Sequence, residues 1–328
     1  MDALGRTPLV RFDRIAPART ELWGKLEGLN PGGSSKARPA ARMIADALSD
    51  GRLRPGGTVV ESSSGNMGIG LAGACALRDL HFICVVDQRT NPLALGTMRA
   101  LGAELRMIDA DRLGGRSMLE ARLELVGEIV ASTPGAFWPN QYENPSNPTS
   151  HAVGTMREID EALDGRIDYL FAAAGTAGTL RGCLDYLEAA GRECRVVAVD
   201  ACGSALFGGA PGSRRLPGMG AGIETRHSRA CAPDRLVRVS DLDCVVGCRR
   251  MARREGLVVG ASSGGVLSAF AELAPELPSG ARCVAILPDL GSGYLETVFD
   301  DRWVELELGV DPVELRRLVE APGGTAGR

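Results

Sequence analysis

The sequence predicts an α/β protein with open, mostly parallel sheets that are covered by helices on both faces. Short apolar runs alternate with helical patterns along the chain, which is typical of doubly wound folds. The apolar runs are β-branched or continuously hydrophobic, as expected of strands buried on both faces of a parallel sheet. The length of 328 residues allows two such domains. We therefore expect two sheets, each with its own flanking helices.

Seven apolar runs are predicted as strands: GTVVESS (57–63), HFICVVD (81–87), ELRMID (104–109), DYLFAAA (168–174), CRVVAVDA (194–201), GLVVG (256–260) and RCVAILPD (282–289). Helices are predicted over residues 39–50, 116–131, 156–163 and 266–277. The first of these helices places Met43, Ile44 and Ala47 on one face and stops at Gly51.

The stretch NQYENPSNPTS, residues 140–150, is rich in Asn, Pro and Ser and is predicted as the crossing between domains. We expect a smaller, mobile domain over residues 41–146, which carries the SSSGN loop. The larger domain would comprise residues 1–40 and 147–310, and residues 320–328 have the composition of a disordered tail.

Composition and charge exclude several classes of protein. The net charge of −4 gives no electrostatic basis for binding nucleic acid or a membrane surface. No apolar run approaches the roughly 20 residues of a membrane span, and the first residues lack the apolar core of a signal peptide. The nine cysteines are scattered without a CxxC pair, which is typical of reduced thiols. We expect a cytoplasmic protein.

Lysine is nearly absent from the chain. Of the 37 basic Lys and Arg residues, only Lys25 and Lys36 are lysines. A lysine can lose its proton, act as a base and condense with a carbonyl group, whereas an arginine does none of these. Lys36, in NPGGSSKARP (30–39), is therefore a candidate nucleophile or base. The alternative, which also holds for Lys25, is a surface lysine without a chemical role.

Three loops rich in glycine or serine are each predicted to follow a strand and open a helix. They are SSSGNMG (62–68), AGTAGT (174–179) and GASSGG (260–265). Helix N-termini present backbone N–H groups to anions, so the loops are candidate anion sites. The third also fits the G-x-S-x-G pattern of hydrolases, but that fold needs a histidine after the serine. All three histidines precede Ser262, which argues against a hydrolase.

A dinucleotide site stays open as a weaker alternative. AGTAGTLRG is followed by Asp200 at the end of the next predicted strand, as in such sites. However, Gly175, Gly178 and Gly182 are not spaced as G-x-G-x-x-G.

Six motifs in combination resemble the fold-type II pyridoxal-phosphate enzymes. They are NPGGSSKARP, ESSSGNMG, NQYENPSNP, GTAGT, LPGMGAG and GASSGG. The resemblance extends from GRTPLV (5–10) to DRWVEL (301–306) and is strongest to the cysteine synthase and cystathionine β-synthase group. It implies pyridoxal 5′-phosphate as cofactor, amino acids as substrates and a homodimer.

The resemblance also implies roles for matching positions. Lys36 would bind the cofactor as a Schiff base and then act as the general base at Cα. Asn66 would hydrogen-bond the cofactor's 3′ oxygen, and Ser262 would face the pyridine nitrogen. A neutral hydroxyl there does not strongly favour a protonated ring, which suits β-elimination over transamination. The phosphate would be held by Gly175, Thr176, Ala177, Gly178 and Thr179.

The substrate side is implied in the same way. The α-carboxylate would be bound by Ser62, Ser63, Ser64, Gly65 and Gln141, and the cofactor face would be lined by Gly218, Met219 and Gly220. For Ser64 and Ala177 the geometry of the turn is a sufficient alternative explanation. The family usually has an aspartate where this chain has Ala37, so a salt bridge or the tuning of Lys36 could differ.

Four further stretches resemble the branch of the family that makes 2,3-diaminopropionate for siderophores and antibiotics. They are CVVDQRTNP (84–92), VAVDACGSALFGG (197–209), RRLPGMGAG (214–222) and VVGCRRMARREGLVVG (245–260). That branch joins O-phosphoserine to glutamate and forms N-(2-amino-2-carboxyethyl)glutamate. The resemblance implies β-replacement with these two substrates.

Arginines suit a phosphate leaving group and a dicarboxylate nucleophile. The candidates are Arg116, Arg122, Arg214 and Arg215, although an arginine considered alone is more often a solvated surface residue. Arg122, supported by Tyr142, is the preferred partner of glutamate. Two alternatives remain: a cysteine synthase or sulfhydrylase that uses O-phosphoserine or O-acetylserine, and a scaffold that binds the cofactor without turnover. The presence of both Lys36 and Asn66 argues against the scaffold.

Overall fold

The computed structural model describes residues 3–108 and 117–321. The chain divides into two compact units. The smaller unit contains Asn30–Asn147 together with the first residues up to Leu4, and the larger contains Gly5–Leu29 and the chain from Pro148 onward. Lys36 and the segment around it thus belong to the smaller unit.

The strands of the described residues are β1 (Leu9–Phe12), β2 (Glu21–Leu26), β3 (Thr58–Ser62), β4 (His81–Val86), β5 (Glu104–Met107), β6 (Tyr169–Ala173), β7 (Arg195–Ala201), β8 (Arg235–Val239) and β9 (Arg282–Leu287). The α-helices are α1 (Ala37–Ser49), α2 (Asn66–Ala76), α3 (Pro92–Ala100), α4 (Met118–Ser132), α5 (Ser146–Ser150), α6 (Arg157–Ala162), α7 (Gly178–Ala189), α8 (Arg226–Arg229), α9 (Asp241–Glu255), α10 (Ala261–Leu273), α11 (Asp301–Leu308) and α12 (Pro312–Glu320). A π-helical segment, His151–Met156, directly precedes α6.

The larger unit is built on a six-stranded sheet in the order β1-β2-β9-β6-β7-β8. Only the β1–β2 pair is antiparallel. Alternate residues of β6 enter different cores: Phe171 packs edge-on against Phe270 of α10 with ring centroids 5.6 Å apart, whereas Leu170 packs with α6 and α7. Helices therefore cover both faces, which explains why the central strands are continuously apolar.

The smaller unit contains the three-stranded parallel sheet β3-β4-β5. Val59 and Phe82 face a core shared with α1, α2 and α3, whereas Val60 and Val85 face α4. The prediction of an α/β fold with mostly parallel sheets covered by helices is confirmed. None of the described helices is long and apolar enough to cross a membrane.

The predicted strand GLVVG is wrong. Gly256 ends α9 with a left-handed φ of 72°, and Gly260 precedes α10, so few residues remain between the helices. This segment makes only an isolated bridge, between Val259 and Leu290. Conversely, the sequence criterion missed β1, β2 and β8. Each of these strands contains at least one charged residue and several partly exposed positions, so none of them is a continuous apolar run.

The helix predicted over 266–277 begins earlier, at Ala261, so most of GASSGG is helical and not a loop. Packing explains its glycines, since a Cβ on Gly264 would lie 2.1 Å from the carbonyl oxygen of Cys244 in α9. The helix predicted over 116–131 is α4, although Arg116 lies outside the described residues. Of the predicted tail 320–328, residues 322–328 also lie outside them.

Candidate active site

Lys36 immediately precedes α1 and is half-buried. Its backbone N–H donates to Ser34 Oγ at 3.3 Å, and its carbonyl oxygen accepts from Ala40 N at 3.1 Å. Gly70 of α2 allows a close approach, because a Cβ there would lie 2.9 Å from the Lys36 carbonyl oxygen. The backbone of the lysine is thus held by the start of one helix and the side of another.

The predicted carboxylate loop connects β3 to α2. Ser63 shapes the turn, since its Oγ accepts from Gly68 N at 2.9 Å and from Gly65 N at 3.3 Å. Ser62 is buried, and its Oγ has no hydrogen-bond partner among the described residues. Buried hydroxyl groups are normally satisfied. Ser62 Oγ therefore has hydrogen-bonding capacity for a ligand, whereas Ser64 is exposed.

A carboxyl group that the sequence reasoning missed connects this loop to Gln141. Oε1 of Glu61 accepts from Ser62 N at 2.9 Å and from Trp138 Nε1 at 3.1 Å. Its Oε2 accepts from Gln141 N at 3.3 Å. Burial raises the pKa of Glu61 to about 7, against the lowering effect of these donors. The sequence does contain a sign of this group, because Glu61 is an acidic residue inside the predicted buried strand GTVVESS.

Arg122 lies on α4 and is largely buried. Its Nη1 is 3.2 Å from Asp87 Oδ2 without forming a hydrogen bond, and Nε has no hydrogen-bond partner among the described residues. Arg214 differs, since its Nη1 donates to the Met219 carbonyl oxygen at 3.3 Å. Arg215 is exposed and pairs with Glu307, so its guanidinium makes a surface contact.

The phosphate loop predicted at residues 175–179 connects β6 to α7 in the larger unit. Ala177 precedes α7 with a left-handed φ of 62° and provides no side-chain cap. Thr176 is buried, and its Oγ1 accepts from Gly178 N at 3.3 Å. A non-glycine residue in this conformation is strained. The loop thus turns sharply into a helix N-terminus of the kind that binds phosphate.

The loop at 218–220 lies against this turn. Gly220 N donates to the Ala174 carbonyl oxygen at 2.7 Å, and a Cβ on Gly175 would lie 3.2 Å from the Gly218 carbonyl oxygen. A Cβ on Gly218, which has a φ of +98°, would lie 3.8 Å from Ser262 Oγ. Three predicted segments therefore meet within the larger unit, and glycines at 175, 218 and 220 allow their backbones to approach closely.

Ser262 lies in the first turn of α10 and is buried. Its Oγ is 3.4 Å from Asp289 Oδ1, and Asp289 Oδ2 accepts from the Tyr294 hydroxyl at 2.9 Å. Burial, reinforced by the Asp289 carboxylate, raises the pKa of Tyr294 well above its usual range. The sequence reasoning missed both partners, although Asp289 ends a predicted strand.

Comparisons with known proteins find similarity over most of the chain. The family model described as "Pyridoxal-phosphate dependent enzyme" matches residues 1–289. N-(2-amino-2-carboxyethyl)-L-glutamate synthase of Ralstonia nicotianae is 43% identical over 306 residues, which cover 93% of this chain and 90% of that protein.

Two solved structures are also similar to this chain over most of its length. The O-acetylserine dependent cystathionine β-synthase from Helicobacter pylori superposes with a TM-score of 0.83 at 31% identity, covering 90% of this chain and 96% of that one. O-ureido-L-serine synthase superposes with a TM-score of 0.82 at 34% identity, covering 92% and 97%.

Proposed function

Since the chain belongs to the family of pyridoxal-phosphate dependent enzymes, we propose that it catalyses β-replacement on a serine derivative. O-phospho-L-serine is the proposed first substrate and L-glutamate the second. The product would be N-(2-amino-2-carboxyethyl)-L-glutamate, a precursor of 2,3-diaminopropionate. The observation that carries this proposal is the 43% identity, over 93% of the chain, to a synthase named for that product.

The residues present fit the cofactor. When bound, pyridoxal phosphate would supply an electron sink for the Cα of an amino-acid substrate. In the smaller unit, Lys36 Nζ would hold the cofactor covalently and then carry the proton removed from Cα. Asn66, the first residue of α2, would hydrogen-bond the 3′ oxygen.

In the larger unit, residues 175–179 would bind the phosphate through the backbone N–H groups that begin α7. Gly175 and Gly218 contribute no side chains of their own, which suits the close approach of a flat ring. Ser262 would meet the pyridine nitrogen with a hydroxyl group that also contacts Asp289. Met219 and Gly220 would complete the ring face.

The first substrate requires a site for its α-carboxylate. Ser62 Oγ, which has no partner in the described protein, would donate to it, together with Ser63, Ser64, Gly65 and Gln141. Glu61 would act through its neighbours, because it accepts from the backbone of both Ser62 and Gln141.

The second substrate brings two carboxylates, and burying them without cationic partners would be costly. Arg122 is the proposed partner, with Tyr142 in support. Nη1 of Arg122 lies 3.2 Å from Asp87 Oδ2. The other N–H groups of the guanidinium could bind a carboxylate of the substrate. A homodimer remains a prediction.

A sulfhydrylase or related enzyme is the second candidate. It is favoured by the similar structures, which are named for O-acetylserine and O-ureidoserine. Both proposals share the cofactor and Lys36 and differ only in the leaving group and the nucleophile.

The test supplies the holoenzyme with O-phosphoserine or O-acetylserine, each with glutamate or sulfide, and identifies the products by mass spectrometry. We expect the glutamate adduct from O-phosphoserine. Cysteine from sulfide without any glutamate adduct would contradict the proposal. Borohydride should attach the cofactor to the Lys36 peptide and not to the peptide of the only other lysine, Lys25. Lys36→Arg, which keeps the charge, should lose both this attachment and the activity.

A further inference from the structure

A buried chain of polar side chains ends at the phosphate loop. Thr155 Oγ1 donates to Glu27 Oε2 at 3.4 Å, so its single hydrogen is used there, and the 3.0 Å hydrogen bond between His151 Nδ1 and Thr155 Oγ1 is donated by the ring. On its other side, His151 Nε2 lies 3.3 Å from Thr179 Oγ1. Glu27, His151 and Thr155 are at most 1% exposed. All of these residues lie within the larger unit.

The backbone holds the imidazole in this place. His151 begins the π-helical segment, a feature that is frequent at functional sites. Gly182 of α7 passes close to it, because a Cβ there would lie 2.2 Å from the Pro148 carbonyl oxygen and 2.9 Å from His151 Cβ. The ring is therefore fixed beside the first turn of α7, where Thr179 is located.

The hydroxyl group of Thr179 has a single hydrogen to donate. If His151 Nε2 is an acceptor, that hydrogen points to the ring, and only oxygen lone pairs remain for an anion. If Nε2 carries a hydrogen, it donates to Thr179 Oγ1, and the hydroxyl hydrogen is left for the anion. The oxygens of a phosphate dianion only accept hydrogen bonds, so the second arrangement is the one that binds it.

We propose that His151 is a positioning residue, which as an imidazolium donates from Nδ1 to Thr155 and from Nε2 to Thr179 and so directs the threonine hydroxyl hydrogen to the phosphate of the cofactor. Thr155 accepts from Nδ1, because its own hydrogen goes to Glu27, so a ring that also donates from Nε2 carries a hydrogen on both nitrogens. The inference rests on the proposed function only in placing the phosphate at residues 175–179. It does not depend on either amino-acid substrate.

Two substitutions separate the ring nitrogens. His151→Gln places an amide N–H near the position of Nε2, whereas His151→Asn keeps a polar group near Nδ1 and loses the contact with Thr179. Holoenzymes loaded with pyridoxal phosphate or with pyridoxal, which has no phosphate, are dialysed to measure cofactor dissociation. His151→Asn should weaken the binding of pyridoxal phosphate roughly tenfold to a hundredfold, as expected for the loss of a hydrogen bond to a charged group. It should leave the binding of pyridoxal unchanged. His151→Gln should retain most of the wild-type affinity for pyridoxal phosphate.

Thr179→Val provides the second arm and leaves the buried histidine in place. Thr179→Val alone should lower the ratio of the affinities for pyridoxal phosphate and pyridoxal. Adding His151→Asn to this variant should lower the ratio no further. The ³¹P resonance of the bound cofactor should shift in both variants. Equal weakening of the two ligands by His151→Asn, or an undiminished effect of that change in Thr179→Val, would show a structural histidine and overturn the proposal. Products of the amino-acid reaction do not enter this measurement, so its failure is distinct from failure of the proposed function.

Discussion

Glu61 should make the unfolding free energy of this protein depend on pH in an unusual direction. The residue is 1% exposed, and burial raises the pKa of its carboxyl group from 4.5 to about 7. Between these values the unfolded chain has lost the proton while the folded chain retains it. Stability from this group is therefore present below about pH 4.5 and is lost as the pH rises to about 7. Each pH unit is worth about 1.4 kcal/mol, so the full loss is about 3 kcal/mol.

The substitution that tests this is Glu61→Gln, which has the shape of the protonated acid and does not titrate. Its amide N–H₂ would face one of the backbone donors now bound by the carboxyl group, and this lost hydrogen bond costs about 1 kcal/mol at every pH. From pH 5 to pH 8 the difference between the two proteins should shift by about 2–3 kcal/mol in favour of the variant.

The assay is urea unfolding of the holoenzymes at pH 5, 6, 7 and 8, followed by tryptophan fluorescence, because Trp138 donates directly to Glu61. Other titrating groups and the cofactor contribute to both proteins and cancel in the difference. Glu188→Gln, at an exposed position, is the matched control for the amide substitution. A pH-independent difference, or a wild type that gains stability relative to the variant as the pH rises, would refute the reasoning. The backbone and indole donors would then outweigh burial and keep Glu61 ionised.

Three further outcomes are expected. Arg122→Ala should spare phosphate release from O-phosphoserine and raise the KM for glutamate roughly tenfold in steady-state kinetics, and Arg122→Lys should raise it less. An equal loss of phosphate release and of glutamate addition would indicate a structural arginine. Ser62→Ala should raise the KM of the first substrate without lowering the melting temperature, because Oγ has no partner among the described residues; a lower melting temperature would indicate a structural hydroxyl. Gly218→Ala should weaken cofactor binding in equilibrium dialysis, since its φ is +98° and Ser262 lies close, whereas Gly73→Ala, a helical position with nothing within 4 Å, should leave binding unchanged. Equal cofactor affinity in these two variants would contradict a ring-binding role for residue 218.

Local sequence patterns account for most of the fold. The buried strands of both sheets were predictable because their side chains are apolar on both faces, and this pattern is visible within a few residues. The same criterion missed β1, β2 and β8, because charged residues interrupt their apolar runs at positions that are partly exposed or ion-paired in the finished sheet. It also produced a false strand at GLVVG, where the glycines serve the ends of two helices.

The sequence by itself determined the candidate lysine, the glycine and serine motifs and the family that their combination indicates, because these depend on residue type and spacing along the chain. Only the tertiary structure showed that Glu61 joins Ser62 to Gln141, and that His151 links Thr155 to Thr179. These groups meet because buried polar atoms must find partners wherever the fold brings them, even from residues distant in the chain. Composition and periodicity describe each segment alone, so they contain no information about which partner a buried carboxyl or imidazole group will find.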